Sequence, residues 1–106
     1  MLTDLSLHVL LAVGKGIAHG YAIGKDIEER TSGRLDPTTG ALYQALKRLA
    51  DDGLIKQVRA PAGEVDPRRK YFSLTSAGRR AVAAEVKRLE GIVRLARERR
   101  LYPAGV

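Results

Sequence analysis

Two segments constrain what this chain can fold into. They are Asp36–Ile55 (DPTTGALYQALKRLADDGLI) and Asp66–Thr75 (DPRRKYFSLT). In the first, Leu42, Ala45, Leu46 and Leu49 recur at spacings of three and four, which turns one face of a helix inward. Aspartate is a capping residue and proline suits the first helical position, so the helix is predicted to begin at Asp36-Pro37. Asp51-Asp52-Gly53 closes it with glycine at the expected place. The second segment starts as a basic loop tip and runs into β-forming residues. A helix with a polar outer face beside a basic hairpin is the arrangement of a winged helix-turn-helix.

The flanking sequence completes that architecture. Residues 4–14 (DLSLHVLLAVG) put Leu5, Val9, Ala12 and Val13 on one helical face, with Leu10 beside it; Thr3 or Asp4 can cap the start and Gly14 marks the stop. Lys15–Gly20 reads as a turn. Residues 20–31 form a second short helix with Ile23 and Ile27 inward, and Leu35 is read as a minimal strand. Residues 54–59 and 69–74 are two further strands. The loop between them holds Pro61, Gly63 and Pro67 and is too long for a tight hairpin, so it is expected to form a mobile wing. Thr75 or Ser76 then caps a long helix to about Arg100, and Pro103 and Gly105 stop anything further. The predicted fold is mainly α with a small β-hairpin wing. Residues 1–74 are expected to form a winged-helix DNA-binding domain, and residues 75–106 a C-terminal dimerisation helix with a short tail.

Charge and composition narrow the function. At 106 residues the chain is one domain's worth, able to bury roughly 65% of its unfolded surface. The net charge is +7. Residues 1–33 carry three basic and four acidic side chains, residues 34–74 eight and five, and residues 75–106 eight and three. The positive charge therefore lies in the C-terminal two thirds and attracts polyanions. The absence of cysteine excludes disulfides and thiolate metal sites. No apolar run approaches the ~18 residues of a membrane span. The first residues lack the basic start of a signal peptide, so a cytoplasmic location is expected. His8 and His19 are not spaced as a metal pair, and no nucleophile elbow or phosphate-binding glycine loop is present. No catalytic residue, metal or cofactor is expected, and the chain is read as a non-enzyme. His19 is expected to order its turn by hydrogen bonding.

The candidate DNA-contacting residues follow from the buried stripe. With the leucines inward, Thr38, Thr39, Tyr43, Gln44, Lys47 and Arg48 face outward on the third helix. Its first turn also offers free backbone N–H groups to phosphate. Gln44 can pair with adenine, and Lys47 or Arg48 can reach guanine or phosphate. Gly40 costs this helix roughly 1 kcal/mol relative to alanine, which close approach of a helix or of DNA would explain. In the wing, Arg68, Arg69 and Lys70 can follow phosphates or enter the minor groove. On the last helix Val82, Val86, Leu89, Val93 and Ala96 repeat at alternating spacings of four and three, a coiled-coil-like seam. Such a stripe, on a helix of roughly 39 Å, is longer than one small domain can cover. A second copy would cover it, giving a two-fold homodimer that reads a pseudo-palindromic operator in double-stranded DNA; the alternative is that the helix folds back over the chain's own first helix. The competing expectation is a protein-interaction module without sequence-specific DNA binding, because winged folds serve both ends.

Read together, His19-Gly20-Tyr21-Ala22-Ile23, Gly40–Leu49, Gly53-Leu54-Ile55 and Pro67–Gly78 resemble the PadR family of bacterial transcriptional regulators over roughly residues 5–80. The single long C-terminal helix resembles the short subfamily. The resemblance implies a dimeric winged-helix repressor, often relieved by a small-molecule effector. It assigns DNA contacts to Thr38, Thr39, Tyr43 and Lys47 and to the wing residues Arg68, Arg69 and Lys70. Tyr21 would support the helix-turn-helix and face DNA. Gln44 stands where many relatives carry proline, and Ala41 replaces a common threonine. Some relatives hold flat aromatic drugs between tryptophans, and this chain has no tryptophan.

Overall fold

In a computed structural model describing residues 2–103, the predicted stripes of α1, α2 and α3 are buried except for Leu5, which packs half-buried against the core. The elements run α1 (Asp4–Gly14), β1 (Ala18–His19), α2 (Gly20–Arg30), α3 (Thr39–Asp51), β2 (Ile55–Val58), β3 (Tyr71–Leu74) and α4 (Ser76–Glu98). Val9, Leu10 and Val13 of α1 meet Ile23 and Ile27 of α2, Leu42, Leu46 and Leu49 of α3, and Ile55 and Phe72 of the sheet. The largest fully enclosed side chains are Leu10, Ile23, Ile27, Leu46, Ile55 and Val9. Each contributes roughly 1.5–3 kcal/mol by leaving water, so the three-helix core is what fixes the fold.

The sheet is antiparallel in the order β1-β3-β2. Ala18 and His19 pair with Phe72 and Tyr71, and Ile55 through Val58 pair with Leu74 through Tyr71. The third strand is thus Ala18–His19, where the sequence suggests a turn, and Leu35 is not a strand. The reason is local. The Thr31 hydroxyl accepts from the Leu35 N–H at 3.1 Å and stands 3.3 Å from the Leu35 carbonyl, so that backbone is satisfied without a ladder. Ser32 and Gly33 turn the chain there with positive φ.

Three helix starts are capped by a threonine. Thr3, Thr38 and Thr75 each accept from the N–H three residues on, at 3.0, 3.1 and 3.0 Å. His19 does the same for α2, its Nδ1 accepting from Ala22 at 3.2 Å, as its place in the turn suggests. For α3 this is a correction: the cap is Thr38, not Asp36, and Pro37 lies outside the helix. Asp36 and Thr38 are both capping residues, and the buried stripe begins only at Leu42, so periodicity does not choose between them.

The strands are shorter than expected, 55–58 and 71–74, and leave residues 59–70 as the wing. Arg68, Arg69 and Lys70 therefore belong to the wing loop rather than to the strand. At the other end of β3, Thr75 locks α4 to the domain. Its hydroxyl donates to the Gly53 carbonyl at 2.6 Å, and its N–H donates to the Leu54 carbonyl at 3.1 Å. α4 ends two residues before the predicted Arg100. There Arg100 takes a left-handed φ of 58° and the Leu101 N–H bonds back to the Ala96 carbonyl at 2.8 Å, a Schellman-type stop. Gly105, the other predicted stop, lies outside the described residues.

Candidate nucleic-acid interface

α3 crosses α2 where two glycines one turn apart remove side-chain bulk. A Cβ on Gly20 would stand 2.6 Å from the Tyr43 hydroxyl, and one on Gly24 would stand 3.2 Å from Leu42 Cδ2. Tyr43 thus leans its ring on the start of α2 while remaining 48% exposed. It has a packing role that its outward position in the sequence does not reveal. The Gly20–Gly24 spacing was a legible signal for this close crossing. Tyr21, 68% exposed, lines the same cleft as Thr39 and Tyr43. The cleft also takes in Lys25 together with the acids Glu28 and Asp36.

The outward face of α3 is as its periodicity requires. Thr38, Thr39, Tyr43, Gln44, Lys47 and Arg48 are all exposed, and Gly40 meets no atom within 4 Å of a built Cβ. No neighbouring helix therefore accounts for Gly40. Thr38 already uses its oxygen as the cap acceptor, leaving its O–H to donate outward. Lys47 reaches Asp51 at 3.1 Å, one turn along. This ion pair offsets the unfavourable placement of an aspartate at a helix C-terminus.

The wing is organised by its two acids. Asp66 Oδ1 accepts from the Arg68 N–H at 2.9 Å and from Arg68 Nε at 3.2 Å. Glu64 accepts from the Asp66 N–H at 2.9 Å, from Arg69 Nη1 at 3.4 Å and from the Tyr71 hydroxyl. The Tyr71 hydrogen bond, then the Asp66 N–H, hold the Glu64 carboxyl below the usual range; the same bond raises Tyr71. Arg68 holds Asp66 low in the same way. Lys70 is the one cation of the three without an ion pair among the described residues. Tyr71 also presents its ring to the edge of His19, centroids 5.2 Å apart, and His19 stacks 6.4 Å from Tyr21. A line of contacts thus joins the α2–α3 cleft to the wing.

On α4 the predicted seam divides. Val82 packs partly against the domain core, whereas Val86, Leu89 and Val93 are 37–39% exposed and Ala96 is half-buried. Ile92 and Leu95, which the seam omitted, are exposed as well. α1 and α4 flank an apolar groove of about 790 Å³, lined by Leu10, Leu11, Leu74, Val82 and Val86 among others.

The model of the Transcriptional regulator PadR-like family matches residues 9–84. The chain belongs to the PadR-like family. Among its relatives is an uncharacterized 37.1 kDa protein in transposon TN4556 of Streptomyces fradiae, 39% identical over 93 residues. That match covers 85% of this chain and 25% of the relative, so the chain spans about a quarter of that protein's length. A PadR family transcription regulator from Clostridium difficile superposes with a TM-score of 0.76 at 24% identity, over 91% of this chain and 97% of that one. Bacillus subtilis PadR, solved in complex with operator DNA, gives 0.66 at 22% identity, over 79% and 48%. At these identities the two structures establish the PadR winged-helix fold.

Proposed function

We propose that this PadR-like chain is a sequence-specific DNA-binding regulator: a homodimeric repressor released by a small-molecule effector. The observation that carries the reading is the exposed face of α3, with Thr38, Thr39, Tyr43, Gln44, Lys47 and Arg48 all open to solvent. Bacillus subtilis PadR, similar in fold, was solved on operator DNA. In this reading the first turn of α3 meets the phosphate backbone through free N–H groups and threonine hydroxyls. Gln44, Lys47 and Arg48 read base edges in the major groove. Arg68, Arg69 and Lys70 follow the adjacent backbone or minor groove, and Tyr21 flanks the cleft. Residues 1–74 supply DNA binding and α4 supplies the dimer, through Val86, Leu89, Val93 and Ala96 with Val82 at the core boundary. The exposed apolar stripe beyond Val82 supports a second copy as its cover. The α1–α4 groove is of a size for a small apolar effector. Occupying it would shift α4, and with it the spacing of the two recognition helices.

The test is binding to duplex DNA from upstream of the protein's own gene, against a scrambled duplex, at ~150 mM salt. Selective binding with two protomers per site is expected, weakening steeply with salt. Lys47→Ala should lower affinity and relax the preference at the half-site position it reads, by about 1–3 kcal/mol. Equal affinity for both duplexes would overturn the reading in favour of a protein-interaction module.

A further inference from the structure

Residues 59–70 contain no helix or strand, yet they carry three of the cations the DNA-binding reading depends on. What gives the loop shape is the Glu64 carboxylate. Its side chain is only 11% exposed, although both neighbours along the chain, Gly63 and Val65, are exposed. It gathers the Asp66 N–H, Arg69 Nη1 and the Tyr71 hydroxyl. The first two bonds lie within the loop. The third leaves it, because Tyr71 is a buried residue of the central strand β3. Tyr71 in turn meets the edge of His19, and the His19 Nδ1 caps α2.

Resting on the DNA-binding reading above, we propose that Glu64 and Tyr71 form a clasp that positions the wing relative to the helix-turn-helix. They are positioning residues, acting through Arg69 and Lys70 rather than touching DNA. Without the clasp the loop would be ordered only when DNA binds, and that ordering would be subtracted from the affinity. The requirement falls on specific binding. A non-specific complex tolerates many wing poses, whereas an operator complex needs the wing and α3 in one register.

Tyr71→Phe is the decisive variant, because it removes one hydroxyl and leaves charge and packing volume in place. The thermal midpoint should stay near that of the parent, while wing amides from Glu64 to Lys70 exchange hydrogen faster. The ratio of operator to scrambled-duplex affinity, with the duplex from upstream of the gene as operator, should fall roughly fivefold, the scale of re-ordering one or two side chains. Glu64→Ala should lower the ratio similarly. Glu64→Gln keeps one acceptor oxygen for the Asp66 N–H, and its amide N–H can donate to the Tyr71 hydroxyl, so it should restore part of the ratio. Reporting a ratio cancels the general gain in DNA affinity from deleting a negative charge. Unchanged wing exchange in Tyr71→Phe overturns the clasp, and so does faster exchange with an unchanged ratio. A parent protein that fails to distinguish the two duplexes overturns the DNA-binding reading itself, and the clasp then has nothing to position for.

Discussion

Alanine is a better helix residue than glycine by about 1 kcal/mol, so propensity alone favours Gly→Ala at both Gly78 and Gly91 of α4. The structure separates the two positions. A Cβ on Gly91 meets nothing within 4 Å, whereas one on Gly78 would stand 2.1 Å from the Leu54 carbonyl oxygen and 2.6 Å from Leu74 Cδ1. The first of these is backbone and cannot rotate away. That same oxygen accepts from the Thr75 N–H, and Thr75 caps α4 by accepting from the Gly78 N–H at 3.0 Å. Relief of the clash therefore has to move α4 away from the β2 entry and strain this junction. Overpacking costs about 1–3 kcal/mol, and each weakened hydrogen bond about 1 kcal/mol more. Against the propensity gain, Gly78→Ala should destabilise by about 2–3 kcal/mol. At about 4–8 °C per kcal/mol for a domain of this size, the thermal midpoint should fall by at least about 8 °C, and Gly91→Ala should raise it by a few degrees. Circular dichroism melts at equal protein concentration read both. If Gly78→Ala melts at or above the parent, α4 is not seated on Leu54 as described.

Three further outcomes follow from named contacts. Gly40→Ala meets open space and should raise stability by up to about 1 kcal/mol in a urea titration, yet weaken operator binding if DNA approaches the first turn of α3. Leu89→Glu should yield a folded monomer by analytical ultracentrifugation, because this position is exposed within the chain and is proposed to be covered by a second copy. Glu64 and Asp66 are held below the ordinary carboxylate range, Glu64 chiefly by Tyr71 and Asp66 chiefly by Arg68. Their contribution to wing order is complete above that range and lost as pH falls through the lowered values. Wing amide protection, corrected for intrinsic exchange, should stay flat between pH 8 and 5 and drop only below about pH 4.

Helices α1, α3 and α4 were legible in the sequence because their apolar residues repeat at spacings of three and four over about two turns or more. The stripe Leu42, Ala45, Leu46 and Leu49 on α3 is buried where its spacing puts it. Features resting on one or two residues were not legible. β1 is two residues long, too short for an alternating pattern, and exists because β3 pairs along its second edge. The start of α3 was misplaced because three consecutive positions there, Asp36, Pro37 and Thr38, all favour helix starts. Glu64 and Tyr71 lie seven residues apart across a loop whose path no local rule sets, so their bond became visible only in three dimensions. Tyr43 was legible as exposed, but its contact with Gly20 depends on the angle at which α3 crosses α2. Val82 shares the spacing of Val86 and Leu89, so periodicity alone places it in the seam. How far the core reaches along α4, which divides them, is set by tertiary packing and not by spacing.

We propose that two copies of this chain read one two-fold symmetric DNA site through α3. Selection of bound duplexes from a random pool by the purified protein, at ~150 mM salt, tests it most directly. Enrichment of an inverted repeat is expected, with half-sites centred about one helical turn, roughly 34–36 Å, or a multiple of it apart. Lys47→Ala and Gln44→Ala should relax the preference at particular half-site positions. A pool that remains unenriched, or a selected motif without two-fold symmetry, would contradict it.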